Sequence, residues 1–279
     1  MNSRFFKKNR LSIVGLFIVS LVIIGFAVFY FLFYKIRSQA TVYLSTVLIK
    51  SLNISNVPAY WVPYWVADSI NEGDKEISSL GQVNAEVIDK TAYEDRLYGE
   101  FVQLVVKVNV TKNKSGVYLY KNKPLKAGLI IELNLNRVDS DAMIISIDQS
   151  VPEYKYKKIV FSSVFREIEP WLAEMVKIGS SIKNSKGKVV ARLKNKEIRI
   201  AEVPIETSSG TVAVSKNRLK RDMYATVEVL TKVKNGYYYF RDIEQIKVNE
   251  NIYISWPEGE LYHHINEILS IEDTGQSSI

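Results

Sequence analysis

Trp65–Asp74, WVADSINEGD, returns as Trp171–Ser180, WLAEMVKIGS, and this pair of segments decides how the chain is built. Tryptophan, alanine, an acid, a β-branched residue and glycine recur at an offset of 106 residues, and Gly81 against Gly187 keeps the same spacing. Two glycines and a tryptophan in one register are the mark of a tandem duplication. Pro63 near the start, Trp65, Val66, Ser69 and Ile70 on one helical face and Gly73 past the end predict a short two-turn helix. On that reading Trp65 and Trp171 are core anchors, and Gly73, Gly81, Gly179 and Gly187 are turn positions.

Downstream the register continues at an offset of 121. Leu104, Val106, Val108 and Val110 alternate with mostly polar residues, as do Ala225, Val227, Val229 and Thr231, which is the period of a half-buried strand. Val117-Tyr118-Leu119 aligns with Tyr238-Tyr239-Phe240, and Leu125–Gly128 with Ile246–Asn249. Glycine giving way to asparagine there points to a backbone position with φ > 0. Ile131 and Leu133 match Ile252 and Ile254, and Ile144 and Ile147 match Ile265 and Ile268. The change of offset places about 15 extra residues between Gly187 and Tyr224, read as a hairpin around Glu206–Gly210. The expected fold is α+β and β-rich: two modules, 42–149 and 158–270, of mostly antiparallel strands with one short helix each. A linker containing Pro152 joins them, and 271–279 is a polar tail.

Leu11–Tyr34 holds no charge and no proline. As a helix of about 36 Å it would cross a hydrocarbon core of about 30 Å, so a transmembrane helix is expected over 11–34. Arg4, Lys7, Lys8 and Arg10, in a basic tip over 1–10, would hold the N-terminus in the cytoplasm and place the bulk of the chain outside a cell membrane as a single-pass, extracytoplasmic protein. The net charge of +7 follows the same division: residues 1–37 carry six of the 37 basic residues and none of the 30 acids. The remainder is near neutral, which removes the electrostatic case for nucleic acid. No cysteine is present, so disulfides, thiol nucleophiles and thiolate metal sites are excluded.

The apolar stretch, Asn56-Val57-Pro58, Val66-Ala67-Asp68-Ser69-Ile70, Gly73-Asp74, Gly116-Val117-Tyr118 and Leu125-Lys126-Ala127-Gly128 together resemble the bacterial family known as domain of unknown function 4330, over roughly residues 10–148. The second copy departs from it, with Ser180 where Asp74 stands and Asn249 where Gly128 stands. The family has no assigned activity, so the resemblance implies architecture and location and supplies no site residues.

Catalytic patterns are sparse. Ser180 and Lys183 have the Ser-x-x-Lys spacing, but the accompanying motifs are missing and Ser180 occupies a turn position of the repeat. His263 and His264 are adjacent, so on a strand they face opposite ways and do not converge on one metal. No enzyme activity, cofactor or metal is expected. Candidate interaction residues are Trp61, as a stacking surface, and the basic run Lys216, Arg218, Lys220 and Arg221. The expected role is binding or scaffolding in cell-envelope or surface-polymer assembly, with the bilayer, envelope proteins or a surface polysaccharide as partners. An extracytoplasmic hydrolase and an accessory subunit of a membrane transporter are the alternatives.

Overall fold

The structure, a computed structural model, describes residues 15–30, 39–50, 60–95, 99–206 and 210–278. Helix α1 (residues 15–30) precedes a first set of elements: β1 (Gln39–Ile49), α2 (Tyr64–Ser69), β2 (Lys75–Ile77), β3 (Val83–Asp95), β4 (Gly99–Lys112), β5 (Tyr118–Tyr120), β6 (Lys123–Pro124), β7 (Ile130–Asn134) and β8 (Asp139–Asp148). A second set follows: β9 (Tyr154–Ile168), α3 (Pro170–Met175), β10 (Ser181–Lys183), β11 (Val189–Glu206), β12 (Val212–Lys234), β13 (Tyr237–Phe240), β14 (Glu244–Gln245), β15 (Asn251–Trp256) and β16 (Gly259–Ser278). The first sheet runs β2-β3-β4-β1-β8-β7 and the second β10-β11-β12-β9-β16-β15, one path traced twice. The expected α+β class is therefore corrected to a β fold of two barrel-like sheets with only short helices. The physical reason lies in the helices: α2 and α3 are six residues each, ended by Ile70 and Val176 in extended conformation. The β-branched alternation takes over on either side.

The chain divides into two compact units, Met1–Val42 with Asn109–Leu125, and Tyr43–Val108 with Lys126–Ile279. In the smaller unit every residue of α1 is exposed. Among the described residues no helix is long and apolar enough to cross a membrane. Sixteen residues span about 24 Å, short of the roughly 30 Å that a crossing needs. This overturns the transmembrane helix expected over 11–34, and with it the single-pass membrane placement and the sidedness drawn from it. Residues 11–14 and 31–34, like Arg4, Lys7, Lys8 and Arg10, lie outside the described residues. The same unit holds the hairpin β5–β6, whose two turn residues Lys121 and Asn122 take φ of +48° and +63°, the conformation of a tight two-residue β-turn.

In the larger unit the copies share their local geometry. Gly73 and Gly179 both have φ of +89°, Gly81 and Gly187 have +76° and +75°, and Gly128 and Asn249 have +82° and +68°. Beyond each helix the chain is zipped to the next strand in one pattern. Gly73 N–H donates to Val87 O (2.8 Å) and Gly179 N–H to Leu193 O (2.9 Å). Strands β1 and β9 match at a third offset, 117, because Leu44 faces Ile147 as Phe161 faces Ile268. One alignment shifts: the buried partner of Phe240 is Tyr120, not Leu119, because the second copy's turn holds three residues (241–243) where the first holds two.

The extra residues of the second copy lengthen β11 and β12 into an arm, paired as far as Glu206↔Val212. Residues 207–209 lie outside the described residues. Strand β16 runs on to Ser278, so the polar tail expected at 271–279 is strand as far as it is described. A single apolar cluster takes Val47, Tyr93 and Phe101 from the first copy and Phe161, Met223, Phe240 and Trp256 from the second. Three first-copy side chains thus extend the core of the second copy. Trp65 and Trp171 are no part of it: they are 67% and 65% exposed, which overturns their assignment as core anchors. Ala67 and Ala173, two positions on, are the helix residues that are fully buried.

Candidate functional site

Where the two copies meet, within the larger unit, lies a cleft of about 390 Å³. Alternation on β3 sends Asp89, Thr91 and Tyr93 to it, and the first residues of β9 add Tyr154 and Tyr156. Lys232 comes from the end of β12, and Tyr239, Arg241 and Asp242 from β13 and the turn after it. The fourth wall is the turn Asn184–Lys188, whose Gly187 belongs to the repeat. There the Asn184 Oδ1 accepts from the backbone N–H of Lys186 (3.1 Å) and Lys188 (2.9 Å). Its counterpart in the first copy is the Ser78–Gln82 turn, where Ser78 Oγ accepts from Gln82 N–H at 3.1 Å.

That turn also fastens the copies together. Ser185 N–H donates to Ala92 O (2.8 Å), Ala92 N–H donates to Ser185 Oγ (2.9 Å), and Tyr93 bridges to Asn184. On the opposite side Ser45 and Tyr154 share a hydroxyl–hydroxyl hydrogen bond of 2.5 Å. These paired edges form part of the rim of the cleft.

Four cations and two carboxylates line it. Lys186 is paired with Asp89 and lies 3.6 Å from Glu72. Lys232 binds Asp242 at 2.6 Å and sits 4.0 Å over the Tyr154 ring. Arg241 is held by Glu244 at 3.0 Å and donates to Tyr253 O at 2.9 Å. Lys188 differs from these. Among the described residues it has no carboxylate within ion-pair distance, and its ammonium group lies 4.4 Å over the Tyr156 ring. Burial lowers its pKa below the ordinary lysine value. Burial, reinforced by Asp242, raises the Tyr93 phenol, and burial likewise raises that of Tyr154 against the opposing Ser45 bond. Both remain protonated hydroxyls at neutral pH.

The sequence candidates lie elsewhere. Trp61 is half-buried, with the Lys50 ammonium 5.1 Å over its ring. Of the basic run, Lys220 is paired with Glu169, and Arg221 turns back onto the carbonyls of Arg218 and Lys220 (2.9 Å each). Lys216 and Arg218 are exposed. Ser180 Oγ donates to Glu258 Oε1 at 2.6 Å. His263 is fully buried, whereas His264 is half-exposed beside Asn251, 2.9 Å away. The cleft is not legible in the sequence because its residues come from five strands, β3, β9, β11, β12 and β13, and two turns. The alternation of Tyr154 and Tyr156 just after the linker was the one local signal. No family model, no curated protein and no solved structure matches the chain.

Proposed function

We propose that the chain is a binding protein without catalytic activity, and that its inter-module cleft receives an anionic oligomer such as an acidic saccharide. The observation that carries this reading is Lys188, a cation on the cleft wall that no described carboxylate neutralises. Around it the phenols of Tyr93 and Tyr154 supply hydrogen-bonding hydroxyls, and tyrosine rings supply flat apolar faces. An ammonium group already partly desolvated pairs with a carboxylate or phosphate more strongly than one in bulk water.

The arrangement favours binding over hydrolysis. None of the described lining residues is serine, cysteine or histidine. The two lining carboxylates, Asp89 and Asp242, each face lysine ammonium groups rather than one another across a bond to be cleaved.

The test is equilibrium titration of the full chain with oligogalacturonate and with tripolyphosphate. Lys188→Ala should weaken binding roughly tenfold and flatten its salt dependence, with Lys188→Arg intermediate. Equal binding by Lys188→Ala would remove the cleft from the reading. New reducing ends in the oligogalacturonate would instead move it to the hydrolase alternative.

A further inference from the structure

The duplicated helices carry two residues that folding does not require. Across the matched decapeptides, the shared alanines (Ala67, Ala173) and β-branched residues (Ile70, Val176) are buried, and the shared glycines take positive φ. Packing and backbone geometry explain all of those. The tryptophans are two-thirds exposed, and the acids three residues on, Asp68 and Glu174, are exposed as well. At the other exposed positions the copies have drifted apart, with Asn71 against Lys177 and Glu72 against Ile178. Burying an indole contributes stability; leaving one in water contributes little and invites non-specific contact. Its presence in both copies therefore points to a partner.

Residues three apart on a helix lie on one face. Each copy thus presents an indole with a carboxylate beside it, both carboxylates exposed, and Lys196, held on the helix carbonyls, acts on Glu174 through space. We infer that Trp65 with Asp68, and Trp171 with Glu174, are two equivalent sites for an uncharged saccharide chain. The C–H face of a pyranose ring stacks on the indole while its hydroxyls donate to the carboxylate. Charge selects this occupant, because an exposed carboxylate beside the ring disfavours a phospholipid headgroup or an acidic polymer and accepts hydrogen bonds from neutral hydroxyls. Duplication fits it too: a polymer of repeating units engages two like sites at once and gains avidity without a new kind of contact. The sites are separate from the basic cleft.

Calorimetric titration of the full chain with cellohexaose, chitohexaose and maltohexaose tests this. At least one should bind at millimolar concentration to two like sites. Trp65→Ala and Trp171→Ala should each halve the stoichiometry, and the double variant should abolish binding. Replacing Asp68 and Glu174 by alanine should weaken affinity severalfold with both sites still present. Oligogalacturonate binding through Lys188 should be unchanged in every one of these variants, so the two readings fail independently. Because both rings are exposed, the melting temperature should match that of the unaltered protein. No binding by any of the three hexasaccharides would overturn the inference. So would undiminished stoichiometry in the alanine variants, or tryptophan-dependent sedimentation with phosphatidylglycerol vesicles in place of the glycans.

Discussion

In the first sheet Leu135 and Ala142 fill the core position that Trp256 and His263 fill in the second, each residue 121 from its counterpart. The strands around them pair alike, Ile131 with Ala142 and Ile252 with His263. An aliphatic pair has thus been exchanged for an aromatic one on the same backbone. The exchange is tolerated because Trp256 Nε1–H donates to His263 Nε2 at 3.1 Å, and Phe165 meets the imidazole edge-on with ring centroids 5.0 Å apart. It has a cost that the first copy does not bear. Among the described residues His263 Nδ1 has no hydrogen-bond partner, and burial pushes the imidazole pKa down to about 3. Backbone path and side-chain chemistry are separable in this fold: duplication fixed the first and left the second free to diverge.

The largest expected effect comes from that pair. Below its ordinary pKa of 6.5 the unfolded histidine takes a proton that the folded one refuses down to about 3. The stability its neutral form permits is present in full above pH 6.5 and falls away as the pH drops toward 3, by roughly 5 kcal/mol at most. Urea unfolding between pH 7 and pH 4 should show this slope. The double variant Trp256→Leu with His263→Ala, which carries the first copy's residues, should remove most of it. An unchanged slope in that variant would place the acid sensitivity in the carboxylates instead.

The entries to the two short helices provide a second contrast. Before α2, Val62 and Glu100 exchange two backbone hydrogen bonds of 2.8 Å, which brings Gly99 against the Val62 carbonyl. Before α3 the close approach is replaced by a carboxylate. Buried Asp222 accepts from Glu167 N–H (3.0 Å) and from Arg166 (2.8 Å), holding Glu167 at a φ of +51°. A Cβ on Gly99, whose φ is +129°, would stand 2.1 Å from Val62 O, with rigid backbone on the other side. Gly99→Ala should therefore cost about 3–4 kcal/mol in denaturant unfolding. Gly259→Ala meets only the flexible Met175 side chain and should cost about 1 kcal/mol. Equal losses would mean that the first helix entry is not pinned at Gly99.

The duplication was legible in the sequence because glycines at positive φ and buried alanines leave local marks at fixed spacing. What the spacing could not show is direction. Trp65 and Val66 are neighbours in the sequence, and in a six-residue helix a slight rotation decides which of them is buried; Val66 is, and Trp65 is not. The apolar run before the first module has the length and the uncharged composition of a membrane span, but the described helix is shorter than the run. The cleft was illegible for a different reason. Lys188 stands next to a repeat glycine, but its value comes from Tyr156 and Tyr93, which long-range pairing brings to it. Periodicity reports the faces of single elements and is silent about where two duplicated sheets touch.

A last contrast, with smaller losses than at Gly99, tests how far the likeness of the copies extends into energy. Neither short helix has a basic residue in its last turn, so its terminal carbonyls need a donor from elsewhere. In both copies a lysine from the following long strand provides it, 106 residues apart. Lys90 Nζ donates to Ala67 O (2.6 Å) and Ile70 O (2.9 Å), and Lys196 Nζ to Ala173 O (2.9 Å) and Val176 O (2.6 Å). Replacement by methionine keeps the apolar stem and removes only the charged donors, so each of Lys90→Met and Lys196→Met should cost about 2 kcal/mol. The two losses should agree within about 0.5 kcal/mol and add in the double variant, since the sites share no partner. Hydrogen exchange at the Ile70 and Val176 amides should accelerate in the matching variant alone. A loss confined to one copy would show that the other lysine only fills space, and that the duplicated geometry has outlived a shared energetic role.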